Sequence, residues 1–219
     1  GATVIVLEVT GAGSTIGTAA TPLEINSPTG IAGARVDAKT AGGANDPLFL
    51  RDTSDNFPVG SIDAGAATVT LRTTAGAILD ANGGSLNINA TAAALSASTG
   101  IGTGVDGALE TAVGNLEATT GTGGVLVDNT GALVIGGVST GLSGVTVTGA
   151  SGSVTVSATA AMTVNEGVSA PGAVQLTTPD NGNTNNLTVN AAVQSTGSSV
   201  TLWAEDDFAL AAGGLVTAA

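Results

Sequence analysis

Ile16-Gly17-Thr18, followed by Leu23-Glu24, returns in the second half of the chain as Ile101-Gly102-Thr103 followed by Leu109-Glu110. Outward from these phrases the same pieces recur in the same order. Residues 34–40 (Ala-Arg-Val-Asp-Ala-Lys-Thr) match residues 115–120 (Asn-Leu-Glu-Ala-Thr-Thr), Leu-Phe-Leu-Arg-Asp at 48–52 matches Val-Leu-Val-Asp-Asn at 125–129, and Thr-Val-Thr-Leu at 68–71 matches Ser-Val-Thr-Val at 153–156. Ile16 and Ile101, like Val69 and Val154, stand about 85 residues apart. A shorter beat runs inside the long one, with Thr-Val-Thr-Leu, Leu-Asn-Ile-Asn, Val-Thr-Val-Thr, Leu-Thr-Val-Asn and Val-Thr-Leu-Trp as successive variants. Such self-similarity means stacked units, each too small to bury a core alone.

The shorter beat is a strand beat. Val69/Leu71, Leu86/Ile88, Val125/Val127, Val145/Val147, Val154/Val156, Val174/Leu176, Leu187/Val189 and Val200/Leu202 put apolar residues on one face, while Thr, Ser, Asn and Gln take the other. Gly83-Gly84, Gly123-Gly124, Asn181-Gly182 and Gly213-Gly214 punctuate the runs. The pattern predicts an all-β chain. Two architectures fit it: a parallel β-helix, in which equivalent strands stack, and tandem β-sandwich modules built from hairpins. The β-helix is favoured, because hairpin turns of the Asn-Gly kind occur only at Asn82-Gly83 and Asn181-Gly182 and the repeated strands read alike in one chain direction. The expectation is one continuous solenoid over residues 1–219, with repeat units at 14–98 and 99–183 and a partial third at 184–219. Coils of ~20–25 residues would number about nine or ten and make a rod of about 45 Å. One segment, residues 108–118, carries apolar residues at helical spacing. Its counterpart at residues 22–28 is broken by Pro28, so both are read as short strands with loops.

Composition agrees with a thin core. The 219 residues include 34 Gly, about twice ordinary usage, and only 2% aromatics, so Val, Leu, Ile and Ala must fill the interior. The net charge is −13, from 17 acidic and 4 basic residues. Arg35, Lys39, Arg51 and Arg72 cannot make a nucleic-acid-binding patch, and an anionic membrane surface would repel the chain. No apolar run is long enough for a transmembrane helix, so membrane insertion is not expected. Cysteine is absent, which long repeat proteins tolerate. The chain starts directly in a strand pattern, as a mature or excised piece would.

Few motifs carry chemistry. Gly102, Gly104 and Gly107 fit the spacing of a dinucleotide fingerprint, but the first copy, at residues 17–22, lacks the glycines. Gly137, Ser139 and Gly141 fit a nucleophile elbow, yet the chain has no histidine to serve as base. No catalytic residue is assigned and the chain is read as a non-enzyme. Glu205-Asp206-Asp207, beside Trp203 and Phe208, is the densest acidic cluster; paired carboxylates there would suit a glycan-binding or polysaccharide-cleaving groove. Calcium is the candidate ligand of two oxygen-rich loops. One contains Asp180, Asn181, Asn183 and Asn185; the other contains Asp46, Asp52 and Asp55. Neither has EF-hand spacing, and Asx-rich turns are the favoured reading. Asn89 and Asn186 begin glycosylation sequons by coincidence of composition.

The phrases Gly100-Ile-Gly-Thr…Leu109-Glu-Thr-Ala-Val-Gly-Asn-Leu-Glu-Ala, Thr122-Gly-Gly-Val-Leu-Val-Asp-Asn-Thr-Gly-Ala-Leu, Asn186-Leu-Thr-Val-Asn-Ala-Ala-Val and Ser199-Val-Thr-Leu resemble repeats of giant bacterial surface proteins of the filamentous-haemagglutinin type. The resemblance spans most of residues 14–212. It implies a right-handed β-helix, secreted or held at the cell surface as a stalk, adhesin or matrix fibre, and it brings no catalytic motif. The sequence reading is therefore a structural rod that meets copies of itself head to tail, with surface glycans as a further partner. The apolar ends, Val4, Ile5, Val6, Leu7 and Val9 at one and Leu215 and Val216 at the other, are the expected assembly residues, by stacking or strand donation.

Overall fold

The computed structural model describes residues 3–27, 31–102, 107–138, 141–179 and 185–219. Every strand pairing among them is parallel, and no described residue is helical. Two sheets form facing walls, and the chain alternates between them. Along the first, Val4–Glu8, Arg35–Lys39, Phe57–Asp63, Ile88–Asn89, Leu109–Ala112, Val125–Asn129, Val154–Ala158, Val174–Thr178 and Val200–Ala204 follow one another; Ile78–Asp80 pairs beside Phe57–Asp63 off that path. Along the second come Leu23–Ile25, Leu48–Asp52, Thr68–Thr73, Ala92–Ala97 and Asn115–Thr120. From there the second wall holds two strands per turn, Leu133–Ile135 with Val145–Val147 through to Phe208–Leu210 with Leu215–Thr217. This is a parallel β-solenoid of about eight turns, about 38 Å along its axis at the spacing of paired strands. The hairpin-built sandwich alternative is excluded, since hairpins require antiparallel pairs.

Stacking aligns inward side chains into columns. One runs Leu23, Leu50, Leu71, Leu95, Ala118, Val145, Val168, Val193, Val216 without a break. A neighbour runs from Ile16 through Leu48, Val69, Ala93, Leu116, Ile135, Val164 and Val189 to Leu210. On the first wall Leu7, Ala38, Ile62, Ile88, Thr111, Asn129 and Ala158 make a third, which Thr178 and Ala204 continue. Interior members of the apolar columns are fully buried. Each column position removes an aliphatic side chain from water, worth about 1.5–3 kcal/mol for a Val or Leu.

The turns are uneven. Leu109 lies beside Val127 while Val4 lies beside Arg35, so turn length ranges from about 18 to about 31 residues, wider than the sequence beat implied. Residues 108–118 form two strands, as the repeat logic required. Leu86 departs from expectation: it is exposed, and Asn87 turns inward instead. The Asn87 amide donates to the carbonyls of Val59 and Gly60 and to Asp80, and its oxygen accepts the Glu110 N–H. Strand alternation starts only at Ile88.

The repeated phrase has a local cause. Ile16 and Ile101 both point into the core, and their carbonyls accept the N–H of Phe49 and of Leu126 in the next turn. The glycine that follows has φ of +69° at Gly17 and +72° at Gly102. A Cβ on either would run into the backbone of the next turn, at Phe49 or Leu126. Only glycine can leave the wall there so abruptly.

Candidate functional site

The acidic loops resolve into turns. Asp46 accepts from the N–H groups of Gly13 and Gly43. Asp52, wholly buried at a corner, accepts from Ser27 N–H at 2.8 Å and Ser54 N–H at 2.9 Å. Burial pushes its carboxyl up, but the hydrogen bonds from Ser27 and Ser54 outweigh it and hold the group below its ordinary value. Asp55 also donates its N–H to Asp52. These oxygens organise backbone, and no described group of three or more acidic side chains is arranged to hold a metal ion. Of the other calcium candidates, Asp180, Asn181 and Asn183 lie outside the described residues. Asn185 is buried; its N–H donates to Asp206 and its amide to the Pro179 carbonyl, so it ties the last two turns together.

Asn89 donates its amide to Asp63 in the preceding turn. The strand Leu109–Ala112 follows Gly107 where a dinucleotide site needs a helix N-terminus. Ser139 of the elbow-like motif lies outside the described residues.

Two buried or half-buried glutamates share a task that sequence reading missed. Glu117, fully buried on the outer side of the second wall, accepts the Val138 N–H at 2.7 Å. Glu166 accepts the Gly137 N–H at 3.0 Å and the Gly144 N–H at 2.7 Å. The Gly137 bond is the chief reason that Glu166 stays below the usual carboxylate value; burial opposes it, and Gly144, Ser143 and Glu117 add to it. The pair clasps the excursion between Leu133–Ile135 and Val145–Val147 onto the wall. No spacing rule in the sequence connects Glu117, Glu166 and that loop.

The basic residues gather on turns two and three. Arg35 pairs with Asp37, Lys39 with Asp63 and Arg51 with Glu24, all on outer faces. Arg72 has no such partner among the described residues and borders a groove of about 430 Å³ on the second wall, with Phe49, Thr70, Ser96, Pro22 and Leu142.

Most of the exposed large apolar side chains lie on the two end turns. At the first turn Val4, Ile5, Leu7 and Val9 are half-buried and Val6 is exposed. Ile5 and Leu7 are inward positions, yet nothing among the described residues covers them from outside. At the last turn Val200 and Leu202 are half-buried, and Phe208, Leu210, Leu215 and Val216 are exposed. The expected assembly residues thus lie on the two opposite end turns. Trp203, Phe208, Leu210 and Leu23 are exposed there too and were not assigned to assembly from sequence; Ile16, at the end of its column, is already buried. Trp203 points outward beside Thr177, and the acids Glu205, Asp206 and Asp207 follow at the rim. Each end also presents a strand edge, Val4–Glu8 or Val200–Ala204, at the terminus of the first sheet.

These features define a parallel β-solenoid segment with polar, acidic walls and apolar ends. No protein-family model, curated protein or solved structure matches the chain.

Proposed function

We propose that this chain is a structural segment, a rod that extends by stacking its end turns onto copies of itself, and that it serves in an extracellular filament, stalk or matrix at a bacterial cell surface. The observation that carries the reading is the contrast between walls and ends. Outward wall positions are mostly polar or charged, whereas the end turns leave Val6, Leu23, Phe208, Leu210, Leu215 and Val216 exposed. Bare strand edges over an apolar core are templates for further strands. The resemblance to filamentous-haemagglutinin-type repeats supports the surface location. Electron microscopy of residues 1–219 with fibre diffraction tests the proposal. Thin fibres with a meridional spacing near ~4.8 Å are expected; a monodisperse monomer at all concentrations would overturn it.

A second reading, binding of surface glycans, has the Arg72 groove behind it. Phe49 offers an apolar ring face, Thr70 and Ser96 offer hydroxyls, and Arg72 is a cation free to meet a carboxylate-bearing sugar. An array of acidic oligosaccharides should then give hits that Arg72→Ala abolishes, and an empty array removes the reading.

A further inference from the structure

Given the end-to-end reading above, on which this inference rests, the columns themselves say how one copy would sit on the next. Leu7 and Ala204 are the two ends of the column that runs the length of the first wall. Ile5 and Leu202, two residues earlier on the same inward faces, end a neighbouring column that the fourth turn interrupts: Ile5 leads through Val36 and Val59 to Asp80, and Leu202 leads back through Leu176, Val156 and Val127 to Leu109. On the second wall Ile16 and Leu210 terminate one column, and Leu23 and Val216 another. We propose that the last turn of one copy docks on the first turn of a second copy in this single register: Leu202 over Ile5, Ala204 over Leu7, Leu210 over Ile16 and Val216 over Leu23.

Two further observations select it. The outer residue between the first two columns is Val6 at one end and Trp203 at the other. They are 67% and 59% exposed, while Asp37, Glu110, Asp128, Ser157 and Thr177 stand in the same outer column between them. In that column the two apolar side chains stand at its ends, where the proposed register would bring them together, Trp203 against Val6. The outlines match too. In the first turn, residues 17–22 leave the second wall between Ile16 and Leu23. In turns two to five that wall is one strand, and from the sixth turn it is split again, last by residues 211–214 between Leu210 and Leu215. The first turn therefore repeats the outline of the last, not of the turn above it. Head-to-tail docking also keeps every strand parallel.

Cross-linking tests the register, because the chain has no cysteine of its own. Paired neighbours lie about 4.8 Å apart, inside the ~4.4–6.8 Å that a disulfide spans between Cα atoms. The double variant Val6→Cys/Trp203→Cys should form a ladder of covalent multimers under mild oxidation. Val6→Cys/Thr201→Cys, displaced by one repeat along the strand, should form about tenfold less. Since Trp203→Cys removes a contact, Glu8→Cys/Glu205→Cys provides a second in-register pair with Trp203 intact. Fibres by microscopy with no preference for either in-register pair would overturn the register and leave end-to-end assembly standing. Monomers by light scattering and no covalent multimers in any variant would overturn both.

Discussion

Gly17 and Gly102 carry a cost that no other residue type can meet. Each combines a left-handed backbone with a next-turn backbone where a side chain would begin. Gly13 has φ of +76° but open space around it. Gly13→Ala should therefore cost only the backbone strain, about 1–2 kcal/mol. Gly17→Ala and Gly102→Ala should lower the urea midpoint clearly further, with Gly102 the worse since it lies deeper in the stack. Equal midpoints for all three variants would refute the steric part of the argument. Asp52 and Glu166 act at the same scale. Both carboxyls are held below their ordinary values by hydrogen bonds made in the fold. A depressed folded pKa contributes stability that is full above the unfolded value and is lost as pH falls through the folded one. Thermal stability should hold steady from neutral pH down to about pH 5 and drop below about pH 4. Asp52→Asn should flatten part of that drop; an unchanged acid limb would show that other carboxylates govern it.

Strands here are defined by which face they turn inward. Leu71 sits between Leu50 and Leu95 in a column with no slack, so Leu71→Ala should cost about 2–5 kcal/mol, against under ~1 kcal/mol for Leu215→Ala at the open end. Insertions separate wall from loop in the same way. One residue inserted between Val154 and Thr155 turns Val156 and Ala158 outward and should abolish cooperative unfolding, while two residues inserted at Gly84, in an exposed turn with open space around it, should be tolerated. Periodicity made most of these faces legible in the sequence, since a period of two needs only local information. It failed at Leu86, where Asn87 is drawn inward by the Val59 and Gly60 carbonyls of the turn before, by the Glu110 N–H of the turn after and by Asp80 of its own turn. The clasp of Glu117 and Glu166 was illegible for the same reason: its parts meet only after the coils stack.

For the whole molecule, charge opposes assembly and apolar ends favour it. Each copy carries −13, and the proposed register sets Glu205 beside Glu8 with Lys39 one strand further. Raising salt from about 0.05 to 0.5 M shortens the screening length from over ~10 Å to below ~5 Å and should strengthen association. Sedimentation that shows weaker association at high salt would instead mean that ion pairs hold the junction. The repeat of about 85 residues has its own meaning at this scale. Leu23–Ile25, Leu48–Asp52 and Thr68–Thr73 lie on the second wall, and their sequence counterparts, Leu109–Ala112, Val125–Asn129 and Val154–Ala158, lie on the first. Arg35–Lys39 and its counterpart Asn115–Thr120 exchange walls in the opposite sense. The repeat thus spans about three and a half turns, so matching phrases lie on opposite walls, displaced from each other along the axis.

By itself the sequence determined an all-β chain of stacked parallel strands, its inward residues, its glycine turns and its apolar ends, because alternation, turn chemistry and hydropathy are properties of neighbours along the chain. Only the tertiary structure decided which wall each strand joins, which turns are split and which columns reach both ends. Those depend on the summed lengths of irregular turns, and a solenoid accepts loops of many lengths at little cost as long as its walls stay in register.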